Sequence, residues 1–266
     1  MHKSQILALY DEDQRRTVEY PQMRREVTPQ VVRLVNLSDS GEGAIVYSHL
    51  SKADVEEAIR EQVSYFEGIG QDFEWKYYDH DAPPDLKERL RAYGFVVEEA
   101  EAIMVLDLAE APAVLTEPAP PNVKRILDPG ELSDVMTVEE QVWGEDFSSL
   151  GDYLREALTN YPAQMSVYVA YIGEKPASTA WIYFPAHSQF ASLWGGSTLD
   201  GFRKQGLYTA LLAVRTQEAR GRGVRYLTVD ASPMSRPILE KFGFQLMCNS
   251  YPCKWHLRHG RSGAAA

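Results

Sequence analysis

The chain is short of cysteine, of basic charge and of long apolar runs. Cys248 and Cys253 are its two cysteines among 266 residues. A disulfide, half of a metal site or two plain thiols are open to them. With no Cys/His cluster and no sign of secretion, plain thiols are expected, and no metal. Lys and Arg number 27 against 38 Asp and Glu, a net charge of −11. Such a balance argues against a nucleic-acid partner, whose phosphates need a basic face. It is compatible with a cationic substrate. No apolar run approaches the roughly 20 residues of a membrane span. Met1-His2-Lys3-Ser4-Gln5 leads into a charged stretch, not a secretory signal. The expectation is a cytoplasmic protein with neither membrane nor nucleic acid as partner. Its 44% hydrophobic residues suffice for one large core or two modest ones.

What is present falls into two halves. The first opens with a charged stretch predicted as a helix from Ile6 to Glu19, stopped by Pro21. Strands are predicted over 31–37 and 43–49, with Asp39-Ser40-Gly41 turning between them. Ser51 caps a helix whose apolar positions Val55, Ala58, Ile59, Val63 and Phe66 recur at helical spacing. A strand over 73–78, a short helix after Pro83-Pro84 and a strand over 102–106 follow. Pro112 and Pro118-Ala119-Pro120-Pro121 then make a stiff linker. The domains predicted are 1–111, a linker 112–121, a second domain 122–260 and a disordered tail 261–266.

The second half reads as a strand (123–127), a helix towards Val142, a helix near Leu150 to Leu158 and a hairpin of 166–172 with 177–184. A strand from Phe190 to Leu199 comes next, with Gly195-Gly196 predicting a bulge. A helix from about Gly206, a strand over 224–230, a short helix from Met234 to Phe242 and two last strands, 244–247 and 251–257, complete it.

The halves repeat. Asp81-Ala82-Pro83-Pro84 precedes Gly94-Phe95, and Asp230-Ala231-Ser232-Pro233 precedes Gly243-Phe244 at the same distance. Lys76-Tyr77 with Arg225-Tyr226, Leu90 with Leu239 and Tyr93 with Phe242 fall in register. One strand–helix–Gly-Phe unit is therefore used twice.

The most informative stretch is Leu193 to Leu212. Arg203-Lys204-Gln205 is a polar, basic loop before a helix that starts at Gly206. Free N–H groups and the dipole of a helix N-terminus favour a diphosphate. Gly206 lets phosphates approach closely, and Arg203 and Lys204 add charge. An ordinary loop with a capping glycine is the plain alternative. The first half offers Ser51-Lys52-Ala53-Asp54-Val55 at the corresponding place. Asp54 stands where Gly206 does, and a carboxylate there repels phosphate. The first copy is expected to be inactive towards such a ligand.

Element order and motifs together resemble the GNAT N-acetyltransferase superfamily. Its pyrophosphate motif Gln/Arg-x-x-Gly-x-Gly/Ala is matched by Arg203-Lys204-Gln205-Gly206-Leu207-Tyr208, then Ala210-Leu211-Leu212. Its short helix ending in Gly-Phe is matched by Ile238 to Phe244. The resemblance covers about Val123 to Leu257. It implies an α+β (α/β) fold of two acyl-CoA N-acyltransferase-like domains, each a mixed, mostly antiparallel sheet flanked by helices. It also implies acetyl transfer from acetyl-CoA to a primary amine of a small molecule or peptide. Two positions depart from the family pattern: Tyr208 replaces the second glycine, and Leu239 stands where a tyrosine acid is common.

By that resemblance the cofactor site is Arg203, Lys204, Gln205, Gly206, Leu207, Tyr208 and Thr209 at the diphosphate, the main chain of Ser197, Thr198 and Leu199 along pantetheine, and Ser235. An oxyanion donor is expected at the bulged Gly195-Gly196. Candidate catalytic residues are Glu139 and Glu140 as base, with Glu145 and Asp146 nearby, and Ser232 and Tyr251 as proton donors. Each carboxylate has the alternative of a solvated surface role. Trp143 and Phe147 are acceptor wall or core. His187 reads as exposed, and capping is the plain role of Ser232 and Ser235. Two further function classes stay open, a non-catalytic acyl-CoA sensor and a structural tandem protein. Oligomeric state is open too, a homodimer included.

Overall fold

The computed structural model describes residues 1–38, 41–118 and 120–257. The expected turn residues Asp39 and Ser40, Ala119 of the linker and the tail 261–266 lie outside the described residues. In chain order the elements begin α1 (Lys3–Tyr10), β1 (Met23–Val27), β2 (Val31–Asn36), β3 (Gly43–Ser48), α2 (Val55–Ile69), β4 (Phe73–Tyr78), α3 (Leu86–Ala92), β5 (Val96–Val97) and β6 (Glu101–Asp107). Next come α4 (Ala113–Thr116), β7 (Val123–Ile126), α5 (Ser133–Trp143), α6 (Ser148–Asn160), β8 (Met165–Ile172), β9 (Lys175–Tyr183) and β10 (Phe190–Thr198). The last are α7 (Leu207–Gly221), β11 (Tyr226–Ala231), α8 (Arg236–Lys241) and β12 (Gln245–Trp255). No helix among the described residues is long and apolar enough to cross a membrane.

The chain forms two compact units. One holds residues 1–102 and the chain from Cys248; the other holds Ile103–Met247. The units therefore differ from the sequence halves at one strand each. β6 falls almost wholly in the second unit, and β12 from Cys248 onward falls in the first.

In the first unit β1, β2 and β3 run antiparallel, and β3 meets β4 in parallel over three residue pairs, Gly43 with Phe73 to Ile45 with Trp75. β12 then pairs antiparallel with β4 from Ser250 with Tyr78 to Trp255 with Phe73. Helix α2 is the crossover between the parallel strands. Its buried Val55, Ala58, Ile59 and Phe66 pack with Phe73, Trp75, Leu86, Leu90, Cys253 and Trp255. Phe66 stacks on Phe73 at 4.2 Å between ring centroids.

The second unit repeats the pattern. β7, β8, β9 and β10 run antiparallel, and β10 meets β11 in parallel over three pairs, Phe190 with Tyr226 to Ser192 with Thr228. β6 lies on the far side of β11, and α7 is the crossover. Stacked Phe190 and Tyr226 rings, 5.0 Å apart, hold the short parallel contact. Leu90 and Leu239 are both fully buried. Gly94 and Gly243 share a left-handed φ, 91° and 87°, each stopping its short helix. The sequence repeat is a structural repeat.

Four expectations about elements need correction. The helix expected over Ile6–Glu19 ends at Tyr10 and continues as a wide turn over Asp11–Arg16. Arg15 in that turn is buried, because it binds both oxygens of Asp81 (2.7 and 2.8 Å), one of Asp11 (2.7 Å) and the carbonyl of Val46 (3.1 Å). Such a tertiary anchor has no periodic signal. Strand β1 was not expected; its charges pair laterally, Glu26 with Arg24 and Arg33, instead of alternating with apolar residues. The stiff linker begins with the short helix α4, whose Leu115 is fully buried. The two last strands are one, β12, running through Pro252.

Candidate active site

The site grows from a fault in β10. Opposite β9 its register shifts between Gly195 and Ser197, the bulge that paired glycines predict. Gly195 has φ +68°, and a Cβ there would lie 2.5 Å from the Trp181 ring. Gly196 has φ +98°, and the Tyr208 ring lies against the position of its missing Cβ. Only glycine fits this pair. Pairing of β10 with β11 ends at Ser192. Beyond it, the β11 side of β10 is open edge suited to an added extended chain.

Some main-chain groups there are already used. The Leu199 N–H donates to Ala177 C=O at 3.0 Å, and the Ser197 C=O accepts from Ser178 Oγ at 2.7 Å. Thr198 C=O accepts from Arg203 Nε at 3.3 Å. A strand added to this edge would use the remaining groups.

After β10 a 3-10 turn over Asp200–Phe202 leads into the loop. Lys204 and Gly206 have φ +62° and +83°, with Gln205 on the ordinary side between them. Alternation of hand turns successive N–H groups to one side, which makes an anion cradle. Ala210 N–H to Gly206 C=O, 2.9 Å, is the first bond of α7. Among the described residues the amides of Gln205, Gly206, Leu207, Tyr208 and Thr209 have no backbone partner. The first turn of α7 holds no acidic residue. Residues 203–206 are exposed, Leu207 is buried, and Tyr208 and Thr209 are half-buried. Arg203 folds back on Asp200 at 2.8 Å, and Gln205 Nε2 bonds Gly201 C=O at 3.3 Å.

The matching turn of the first unit differs as its sequence predicts. Helix α2 starts one residue after Asp54, as α7 starts one after Gly206. Two of its matching donors are taken, Val55 N–H by Ser51 C=O and Ala53 N–H by Ser51 Oγ, and the Asp54 carboxylate itself accepts from Ser51 N–H. Glu56 and Glu57 occupy its first turn.

Helix α5 supplies the carboxylates. Glu139 is buried, 2% exposed, which overturns its surface reading. Its Oε1 accepts from Thr179 Oγ1 at 2.5 Å, and its Oε2 from Ser197 Oγ at 2.7 Å and Trp143 Nε1 at 3.1 Å. Glu140, Glu145 and Asp146 are exposed, and Asp146 caps the next turn through Ser148. Trp143 is 62% exposed, so it is no core residue, and its indole also reaches Ser197 Oγ at 3.1 Å. His187 is exposed. Ser232 is exposed and Ser235 half-buried, and their hydroxyls lie 3.3 Å apart. Tyr251 belongs to the first unit, paired with Tyr77 and covered by Lys87 Nζ at 3.9 Å. The structure thus gathers Glu139, Ser197, the bulge, the loop and the start of α7 in one unit, and leaves Tyr251 in the other.

Sequence reasoning missed Thr179, Trp194 and Arg215. Arg215 alone left a signal. It falls four residues after Leu211 and eight after Leu207, on the buried stripe of α7.

Fold and site define a mixed α/β protein whose sheet opens beside an anion-cradling helix N-terminus. Residues 132–244 match the model of the acetyltransferase (GNAT) family, and the chain carries a GNAT domain there. Its fold is also that of a GCN5-related N-acetyltransferase from Kribbella flavida (TM-score 0.66, 15% identity, 95% of each chain). A tandem GNAT protein from the clavulanic acid biosynthesis pathway is similar too (TM-score 0.57, 12% identity, 90% of this chain and 84% of that one). So is a functionally unknown conserved protein from Staphylococcus epidermidis (TM-score 0.65, 13% identity, 88% and 94%). No curated protein matches the chain.

Proposed function

We propose that this protein is an acetyl-CoA-dependent N-acetyltransferase acting on a primary amine of a small molecule or peptide, with its active site in the second unit. Residues 122–260 are the active copy, 1–111 a copy without the cofactor loop and 112–121 the linker between them. The observation that carries the reading is the row of five free amides from Gln205 to Thr209 over an acid-free helix start. They would hold the diphosphate, with Lys204 and a released Arg203 adding charge. The open edge of β10 would align pantetheine, and Ser235, which follows β11, would bond the cofactor as the family resemblance implies.

In the reaction the amine nitrogen forms a bond to the thioester carbonyl carbon. The carbonyl electrons move to oxygen, where the Gly195 N–H would receive the charge. The C–S bond then breaks, and the proton shed by nitrogen ends on the CoA sulfur. Glu139, with three donors on its oxygens, holds Ser197 and Trp143 in place. Deprotonation of the amine falls to exposed Glu140 or to water. Ser232, four residues before the family's acid helix in which Leu239 is buried, would serve as proton donor to the sulfur.

Leu239 also supports a second reading, a non-catalytic acyl-CoA sensor. Thiol release from acetyl-CoA in the presence of a panel of amines separates the two. Release with any amine supports the enzyme; tight CoA binding with no release supports the sensor. Absence of CoA binding by calorimetry rejects both.

A further inference from the structure

Arg215 is fully buried on α7, and no carboxylate bonds it among the described residues. Its Nε donates to Leu211 C=O at 3.0 Å, the carbonyl one helical turn back. Its Nη1 donates to the carbonyls of Trp181 and Trp194, each at 3.2 Å. Burial pulls the guanidinium down to about 10, against the weak opposing pull of the Tyr208 and Tyr168 hydroxyls. An apolar side chain would fill this stripe without the desolvation penalty of a buried, unpaired cation. The arginine is therefore best explained by what it holds.

It holds the two strands at the bulge. Trp181 on β9 and Trp194 on β10 are opposed in the ladder, one step before the register shifts. The Trp194 carbonyl shares its peptide group with the Gly195 N–H. A trans peptide keeps C=O and N–H on opposite sides. A cation on the oxygen thus turns the Gly195 N–H away from Arg215 and polarises it as a donor. Gly195 has no Cβ to restrict this peptide and sits at φ +68°, so the orientation of its N–H depends on what the Trp194 carbonyl binds.

We propose that Arg215 is a positioning residue for acetyl transfer. By binding the Trp194 carbonyl it orients and polarises the Gly195 N–H that receives the developing oxyanion. This role rests on the acetyl-CoA reading above.

The test uses the full chain and acetyl-CoA carrying ¹³C at the thioester carbonyl. Infrared difference spectra give the C=O stretch of the bound thioester in wild type, R215K and R215M, and calorimetry gives Kd in parallel. The stretch is expected to fall on binding to wild type and to return towards its free position in R215M, with R215K between. Kd stays unchanged, because the loop amides are untouched. With an amine that supports thiol release, kcat of R215M falls on the order of ten-fold at constant KM for acetyl-CoA. Equal stretches in wild type and R215M at unchanged Kd overturn the role of Arg215 and leave cofactor binding standing. No acetyl-CoA binding by wild type overturns the cofactor reading, and this role with it. If R215M does not fold, R215K carries the comparison through the Gly195 amide proton in ¹⁵N-resolved spectra without ligand. An upfield move is expected, and an unmoved resonance overturns the proposal.

Discussion

Ser197 Oγ donates to Glu139 Oε2 at 2.7 Å and so ties helix α5 to β10 just past the bulge. The bond is buried, and the same carboxylate also serves Thr179 and Trp143. Glu139→Ala leaves the Thr179 and Ser197 hydroxyls without their acceptor and takes one of two acceptors from the Trp143 indole. It is expected to cost about 1–3 kcal/mol of stability, read as a lower urea midpoint. Glu139→Gln keeps an acceptor oxygen but sets an NH2 against a donor, and should cost less. A Glu139→Ala protein as stable as wild type would contradict the buried network.

Gly206→Asp is expected to abolish CoA binding in calorimetry, because it copies Asp54 into the anion cradle. Gly206→Ala is the control. A Cβ there meets no atom within 4 Å, so only the left-handed φ is penalised, by about 1–2 kcal/mol. That variant should fold and keep measurable affinity. Unchanged affinity in Gly206→Asp would count heavily against the loop.

Asp54→Gly is expected to leave the stoichiometry at one CoA per chain. The Ala53 and Val55 amides of that turn are bonded internally, and Glu56 and Glu57 remain at the helix start. Two CoA molecules bound per chain would refute the view of an inactive first copy.

Gly195→Ala forces a methyl group to within 2.5 Å of the Trp181 ring at a φ of +68°. Overpacking and strain together should cost roughly 2–4 kcal/mol and suppress thiol release, while residues 203–209 are untouched. Thermal unfolding and CoA calorimetry on the same preparation separate loss of fold from loss of the bulge.

The first unit should show a pH dependence at His80. Its bond to Asp11, 3.0 Å, raises the imidazole above its ordinary value. Burial works against Asp11, but its bonds to His80 and Arg15 win and hold it below its ordinary value. A raised His contributes fully below its unfolded pKa of about 6.5 and loses the contribution as pH rises through the folded value. A lowered Asp contributes above about 4 and loses it as pH falls. The pair therefore stabilises most between these limits. His80→Asn should lower stability at pH 5.5 by up to about 1 kcal/mol and leave it nearly unchanged at pH 9. An equal loss at both pH values would remove the ion pair as cause.

Much of the fold could be read along the chain, because its signals are local. Glycine at 206 before a run of helix formers marks the start of α7; the apolar spacing from Val55 marks α2, whose cap is Asp54 and not the expected Ser51. Gly195-Gly196 marks the bulge. Gly94-Phe95 and Gly243-Phe244 mark two equivalent helix ends. The site was less legible. Glu139 looks like any surface glutamate beside Glu140, since nothing nearby in sequence announces Thr179 and Ser197 as its donors. Arg15 looks like a solvated cation, because Asp81 and Val46 lie on distant segments, and the place of Arg215 on the stripe of α7 does not announce the Trp181 and Trp194 carbonyls it binds.

The sequence alone determined the repeat, the helix start that leaves five amides free and the copy that sets a carboxylate, Asp54, at the matching place, since each follows from the chemistry of a few adjacent residues. Tertiary structure alone decided which carboxylate is buried, which arginine grips the bulge and which compact unit receives β6 and β12. Those outcomes depend on burial and hydrogen-bond partners brought together from distant segments, where the energy of a polar group is set by what surrounds it and not by its neighbours in the chain.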